Sequence, residues 1–295
     1  MRKIVITTDS GIDPINEENM ISAQIIKNNK ETFRDIVEIS PEEILIGLKE
    51  GNNFKTSSPI ISDYEEKFKK LLKEGNDVIH LSMSSGISEG SVNSSYVAAC
   101  RLNGWYDGRI EIIDTLNGAT GGTLINEIAK DYVNKKLHAE EIVSNLNEIK
   151  TRIKTSFYVP NPAGFIRSGR NKSELCTKDK ALLLSSKIAN RAGIKFRVDF
   201  NDEGNLYTKS LMRCKNSSGM LKLVKEIIND ETIELYDPNY VVIGNILEKD
   251  VSMKEVEKYL NNFNYFKNII NKNINGVVAA YGSEDLCGIS LVKKK

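Results

Sequence analysis

Residues 77–95 read Asp77-Val78-Ile79-His80-Leu81-Ser82-Met83-Ser84-Ser85-Gly86-Ile87-Ser88-Glu89-Gly90-Ser91-Val92-Asn93-Ser94-Ser95. The first six carry Val78, Ile79 and Leu81 in a short run, which predicts a buried strand over 77–82. A serine- and glycine-rich loop follows, then a helix over 93–102 and a second strand over 109–114. A strand, a loop, a helix and another strand in that order predict a parallel sheet with helices on both faces. Such sheets bind ligands beyond the carboxyl ends of their strands, where this loop sits. Its glycines let backbone N–H groups approach an anion, its serines add donors, and a helix start adds a positive dipole end. The loop therefore suits a carboxylate or a phosphate. It reads equally well as an ordinary strand–helix connection with serine caps. It carries neither the GxxxxGK[ST] pattern of a phosphate loop nor a GxSxG nucleophile elbow.

Outward from there the alternation continues. Residues 3–8 form a β-rich run that ends in the turn signal Asp9-Ser10-Gly11. A second short strand is expected over 21–26, with a turn at Asn28-Asn29-Lys30. Ser40-Pro41-Glu42-Glu43 is a capping box that opens a helix stopped by Gly51, and Ser62-Asp63-Tyr64-Glu65 repeats the box before a helix stopped by Gly75. Helices are also expected over 119–133 and 139–150. The second half differs. Strands are expected over 155–159, 194–200, 206–213, 240–243, 276–281 and 288–292, with helices over 219–228 and 253–263. Asn201-Asp202-Glu203-Gly204-Asn205 is a hairpin turn, so the pairing there is expected to be antiparallel. The fold class expected is α/β in two domains, with a ligand cleft between them. Residues 1–157 form a mostly parallel N-terminal domain with helices on both faces, and 158–295 a C-terminal α/β domain with a mainly antiparallel sheet.

Composition narrows the function. The chain has 295 residues, of which 40 % are hydrophobic and 27 % charged, the ordinary globular mixture. Its 41 basic and 40 acidic side chains leave a net charge of +1, which lacks the basic excess of a nucleic-acid surface. No apolar run approaches the roughly 20 residues that span a bilayer. The apolar start is short and interrupted by Asp9, unlike a signal peptide, so a cytoplasmic location is expected. Cys100, Cys176, Cys214 and Cys287 form no CxxC pair, so neither a metal site nor a disulfide framework is indicated.

Three groups of residues could carry chemistry. Thr56-Ser57-Ser58-Pro59 clusters hydroxyls ahead of a helix, as a cap or as donors. The loop around Ser88, Gly90 and Ser91 is the second. Phe165-Ile166-Arg167-Ser168-Gly169-Arg170 sets two arginines around a turn, able to grip an anion or to lie on the surface. Histidine is scarce. His80 falls within a strand and His138 at a helix start, so a hydrolase built on Ser88 or Ser91 would need His80 to reach them as base.

Several of these stretches, taken in order, resemble the DegV family. Ile4-Val5-Ile6-Thr7-Thr8-Asp9-Ser10 resembles its opening strand, which ends in Thr-Asp-Ser. Arg34-Asp35 with Ile39-Ser40-Pro41-Glu42-Glu43 resembles its next block, and Thr56-Ser57-Ser58-Pro59 its Thr-Ser-x-Pro motif. Ser84-Ser85-Gly86-Ile87-Ser88 with Gly90-Ser91 is similar to its serine–glycine loop, and Asp114-Thr115 to its strand end. Arg167-Ser168-Gly169-Arg170 is similar to its Gly-Gly-Arg turn, and Ile194-Lys195 to its Ile-Lys-Pro segment. The likeness spans nearly the whole chain.

The resemblance implies a long-chain fatty acid held in an interdomain cleft, with no cofactor and no chemistry of the chain's own. By matching position, the carboxylate would be bound by Thr56, Ser57, Ser88, Gly90 and Ser91, helped by a helix N-terminus. Ile60, Ile61, Phe157, Phe165 and Leu183 would line the acyl-chain tunnel. The alternative implied is the acyl-presenting subunit of a fatty acid kinase. In that role Arg167, Arg170 and Arg213 would face the kinase or the acyl phosphate. Departures stand beside the likeness. Glu89 is inserted before Gly90, inside the carboxylate loop, where its charge would repel a carboxylate unless it points to solvent. The stretch after the first strand is short for a helix. Ala280 stands where kinase-associated members carry a histidine, with Tyr281 beside it as another hydroxyl.

Overall fold

The computed structural model describes residues 2–12, 17–160, 194–246, 251–282 and 285–295. In chain order its strands are β1 (Lys3–Asp9), β2 (Met20–Ile21), β3 (Gln24–Lys27), β4 (Glu31–Arg34), β5 (Phe54–Ser57), β6 (Asn76–Ser82), β7 (Ile110–Asp114), β8 (Ile153–Val159), β9 (Ile194–Phe200), β10 (Leu206–Arg213), β11 (Tyr236–Asn245), β12 (Asn268–Asn273) and β13 (Cys287–Lys293). The helices are α1 (Pro41–Lys49), α2 (Ile61–Lys73), α3 (Ser85–Leu102), α4 (Thr120–Asn134), α5 (Ala139–Ile149), α6 (Asn216–Ile227), α7 (Val251–Asn261) and α8 (Gly276–Ala279).

The first sheet is parallel, in the order β2-β1-β6-β7. Successive side chains along a strand point to opposite faces, and both faces are covered. Val5, Val78 and Ile110 pack with Tyr64, Phe68, Leu71 and Leu72 of α2 and Ala98 and Ala99 of α3. Ile4, Ile79, Leu81 and Ile113 meet Leu124, Ile125 and Ile128 of α4 and Ile142 and Leu146 of α5. The expectation of a parallel sheet with helices on both faces is met.

The second sheet runs β10-β9-β8-β13-β11-β12 and is antiparallel except for the parallel pair β11–β12. One face packs on α6 and α7, through Tyr158, Val241, Ile243, Ile289 and Leu291 against Leu223, Val224, Val256 and Leu260. The other face meets α4, with Val242 and Val292 in the same apolar cluster as Leu124 and Ile128. Helix α4 therefore lies between the two sheets, and its first ten residues but one are buried. A side chain at Gly121 would place its Cβ 2.3 Å from Thr155 Oγ1, so only glycine lets α4 sit this close to β8.

Four expectations are corrected. The strand expected over 21–26 is two strands. Met20–Ile21 joins the parallel sheet, and Gln24–Lys27 joins a separate antiparallel sheet of order β4-β3-β5. The second capping box is displaced: α2 begins at Ile61, because the Asp63 carboxylate accepts the Ile60 N–H at 3.0 Å. The loop read over 82–95 is mostly helix, since α3 starts at Ser85 and is interrupted only at Ser88, whose φ and ψ are −147° and 63°. The strand expected over 276–281 is the short helix α8, started by the Asn275 side chain accepting from the Val278 N–H at 3.1 Å. A short apolar run such as Gly276-Val277-Val278-Ala279 has no periodicity to separate strand from helix; the asparagine cap decides it. After β1 the described residues form two 3-10 turns, Ser10–Ile12 and Glu17–Asn19, in line with a stretch too short for a helix.

Candidate functional site

Thr56 lies on β5, an edge strand of the three-stranded sheet. Edge strands leave outward N–H groups without a ladder partner. The Thr56 N–H donates to the Tyr281 hydroxyl at 3.0 Å, and the Thr56 and Tyr281 hydroxyls are also 3.0 Å apart. Alternation along the strand turns Ser57 away: it is exposed, with its hydroxyl 3.5 Å from the Ser58 carbonyl. Ser58 returns to the inner side. Its hydroxyl is 3.0 Å from that of Ser88, which is in turn 2.8 Å from that of Ser91. A Cβ at Gly90 would come within 2.8 Å of Ser58 Oγ, so the missing side chain is what lets the hydroxyl reach α3. The structure thus brings Ser88, Gly90 and Ser91 together with Ser58, a member of the Thr56–Pro59 cluster that was not among the residues named for the carboxylate. Period-two counting from Thr56 was the signal that would have found it.

The start of α3 is occupied from within. The Ser85 N–H and hydroxyl donate to the Asp114 carboxylate at 3.1 and 2.6 Å, and the Gly86 N–H donates to Ser84 Oγ at 3.1 Å. The interruption at Ser88 creates a second helix start beyond it, and Gly90 and Ser91 stand in that first turn, where the dipole is positive. Glu89 is exposed on the surface.

Behind the hydroxyls lies a buried carboxylate. Asp9 accepts from the Tyr64 hydroxyl at 2.6 Å, the Ser82 hydroxyl at 3.0 Å and the Met83 N–H at 2.8 Å. His80 Nε2 is 3.4 Å from Asp9 Oδ1. Burial pushes the Asp9 carboxyl up, yet the His80 ring, the Tyr64 hydroxyl and the Met83 N–H together hold it below the usual carboxylate range. His80 itself is fully buried, and its Nδ1 is 3.0 Å from the Thr7 hydroxyl. Its Nδ1 is engaged by Thr7 and its Nε2 faces Asp9 without a well-formed hydrogen bond, while Ser88 and Ser91 are bonded to other serines, so the hydrolase reading fails on its own requirement.

Next to this cluster opens an apolar cavity of about 650 Å³, counting the space at its mouth. Met83, Ile87 and Ala119 line it from the carboxyl ends of the parallel strands. Phe157, Val198 and Phe200 line it from the second sheet, and Val277, Val278 and Tyr281 from α8 and the residues after it. Of the residues named for an acyl chain, Phe157 is on this wall. Ile60 is 53 % exposed, and Ile61 packs against the cluster of α2 and α3, so the structure brings neither to the cavity. Phe165, Leu183, Arg167 and Arg170 lie outside the described residues. Arg213 is exposed at the end of β10, away from the cavity lining. Among the described residues no cluster of His, Cys, Asp and Glu could hold a metal ion, and no helix is long and apolar enough to cross a membrane.

The comparisons with known proteins agree with this architecture. A DegV domain-containing protein of Staphylococcus aureus (strain COL) is 27 % identical over 306 residues, covering 100 % of both chains. A DegV family protein from Eubacterium eligens loaded with heptadecanoic acid superposes with a TM-score of 0.82 at 14 % identity, over 99 % of this chain and 100 % of that one. The Streptococcus pneumoniae fatty acid kinase (Fak) B3 protein loaded with linoleic acid gives 0.79 at 17 % identity, over 100 % of both. The model of the uncharacterised protein DegV family matches residues 3–294, and the chain belongs to that family.

Proposed function

We propose that this chain binds a long-chain fatty acid without turning it over. Its cleft lies between two domains, built on the parallel sheet and on the six-stranded sheet. The observation that carries the reading is the contiguity of a hydroxyl cluster and an apolar cavity: Tyr281 lines the cavity and bonds Thr56, and Ile87 lines it beside Ser88. The carboxylate sits against Thr56, Ser88 and Ser91 with the Gly90 backbone, and Ser58 joins them. The acyl chain runs past Phe157 and Met83. The fatty acids carried by the E. eligens and S. pneumoniae proteins support the choice of ligand. No cofactor enters the reading.

The test is mass spectrometry of a solvent extract from purified protein, alongside the Thr56→Ala, Ser88→Ala double variant. Near-stoichiometric long-chain acid is expected in the wild type. The double variant is expected to lose it, because each hydrogen bond to a charged carboxylate contributes roughly 1.5–3 kcal/mol. Undiminished lipid in the double variant would refute the assignment. The likeness to the S. pneumoniae kinase protein favours a second reading, in which the chain presents the acid to a partner kinase. That reading requires acyl phosphate to form only when kinase and ATP are added, and no product under those conditions would end it.

A further inference from the structure

The contact between Tyr281 and Thr56 has the form of a ligand contact. Thr56 offers a backbone N–H and a hydroxyl side by side, a pair suited to the oxygens of one carboxylate. A single phenol oxygen, 3.0 Å from each, fills that place. The oxygen arrives on the residue that also lines the apolar cavity, two positions beyond the end of α8. A fatty acid cannot take the Thr56 N–H while the phenol holds it, nor sit against the Thr56 hydroxyl while the phenol oxygen lies 3.0 Å from it.

We propose that Tyr281 is a built-in competitor at the carboxylate site, so that binding requires the headgroup to displace its hydroxyl from Thr56. This rests on the fatty-acid reading above and names the residue that sets its affinity. An ionised carboxylate displaces the phenol because charge-assisted hydrogen bonds are roughly twice as strong as neutral ones. A neutral headgroup exchanges one neutral set for another and gains nothing there. Tyr281 thereby tilts the site toward free acids over esters and alcohols of the same length.

The test is titration calorimetry of delipidated full-length protein with palmitate, comparing wild type with Tyr281→Phe. Removing the competitor is expected to tighten binding roughly twofold to tenfold, the worth of an ordinary hydrogen bond that no longer has to be broken. The gain is expected to shrink when Thr56→Val is combined with Tyr281→Phe, because part of what the phenol occupies is then gone. A side chain with only a structural role would give the opposite sign, weakening binding as the cavity wall loosened. Equal or weaker binding by Tyr281→Phe, with the wild type still binding palmitate, would overturn the competitor and leave the fatty-acid reading standing. Failure of both proteins to bind palmitate would overturn both.

Discussion

Asp9 and Asp35 are both buried, at 2 % and 0 % exposure, yet their surroundings drive them in opposite directions. Around Asp9 three donors close in with good geometry, and an imidazole faces it. Around Asp35 the Ser10 hydroxyl and the N–H groups of Val277, Gly276 and Ile36 face the carboxyl, but none reaches either oxygen in good hydrogen-bond geometry. Burial dominates there, and the Asp35 carboxyl is pushed up to about 6. Burial alone does not decide the charge of a carboxylate; the donors that come with it do. The local backbone differs too. Ile36, next to Asp35, adopts a φ of 68°, which is costly for a branched side chain. Asp9 ends a regular strand. Ser10 links the two regions, since it follows Asp9 in the chain, faces Asp35, and accepts the Ala23 N–H at 3.0 Å.

The largest effect expected on this contrast comes from Asp9→Asn. An amide cannot accept from all three donors as a carboxylate does, and each buried donor left without its acceptor costs about 1–3 kcal/mol. Urea unfolding at neutral pH checks this, and a loss under about 1 kcal/mol would show that Asp9 is not held ionised. The sign for the wild type follows. Because its folded pKa is depressed, the Asp9 contribution is present at neutral pH and is lost as pH falls below the ordinary carboxylate value of 3.8.

Asp35 runs the other way. Its folded pKa lies above the unfolded value of 3.8, so its favourable contribution is complete below that pH. It is lost as pH rises through about 6. Ionising Asp35 at neutral pH costs roughly 3 kcal/mol, at 1.36 kcal/mol per pKa unit. Asp35→Asn is expected to erase that pH dependence, gaining on the wild type between about pH 4 and pH 7. Parallel urea midpoints for the two proteins across this window would break the contrast.

Ser10→Ala gives the smallest of the three effects. Losing the acceptor for the Ala23 N–H costs about 1 kcal/mol. The same change removes the hydroxyl that faces Asp35 and favours its charged form, so the falling limb of the stability profile is expected to move to higher pH. Urea unfolding across pH reads both, and a stability loss with an unmoved limb would detach Ser10 from Asp35.

What the sequence disclosed follows the range of the interactions. The Ser40 capping box needed only four residues and was read correctly, with the Glu43 N–H donating to Ser40 Oγ at 3.2 Å and the Ser40 N–H to Glu43 at 2.8 Å. The parallel sheet was legible from apolar runs broken by turn residues. The part played by Asp9 was not, because its donors Tyr64 and Ser82 lie 55 and 73 positions away. Pairing over that distance leaves no local mark, and Asp9 looked like a turn residue. Strand β5 was missed for another reason. Four residues at a sheet edge, Phe54-Lys55-Thr56-Ser57, alternate only weakly in polarity. Their inward set, Thr56 then Ser58, shows only once the strand is recognised.

Helix α4 sets a condition on how this chain can change over generations. Thr120, at its start, has its hydroxyl 2.8 Å from that of Ser290, and its methyl lies 2.8 Å from where a Cβ on Gly244 would stand. Ile125 and Leu124 answer to strands drawn from both ends of the chain. A substitution there must suit two sets of neighbours at once, so it is tolerated only with a matching change more than a hundred positions away or not at all. The two halves are therefore bound to a shared history. Recombination that exchanged one half for that of a distant cousin would bring together walls never shaped around the same helix.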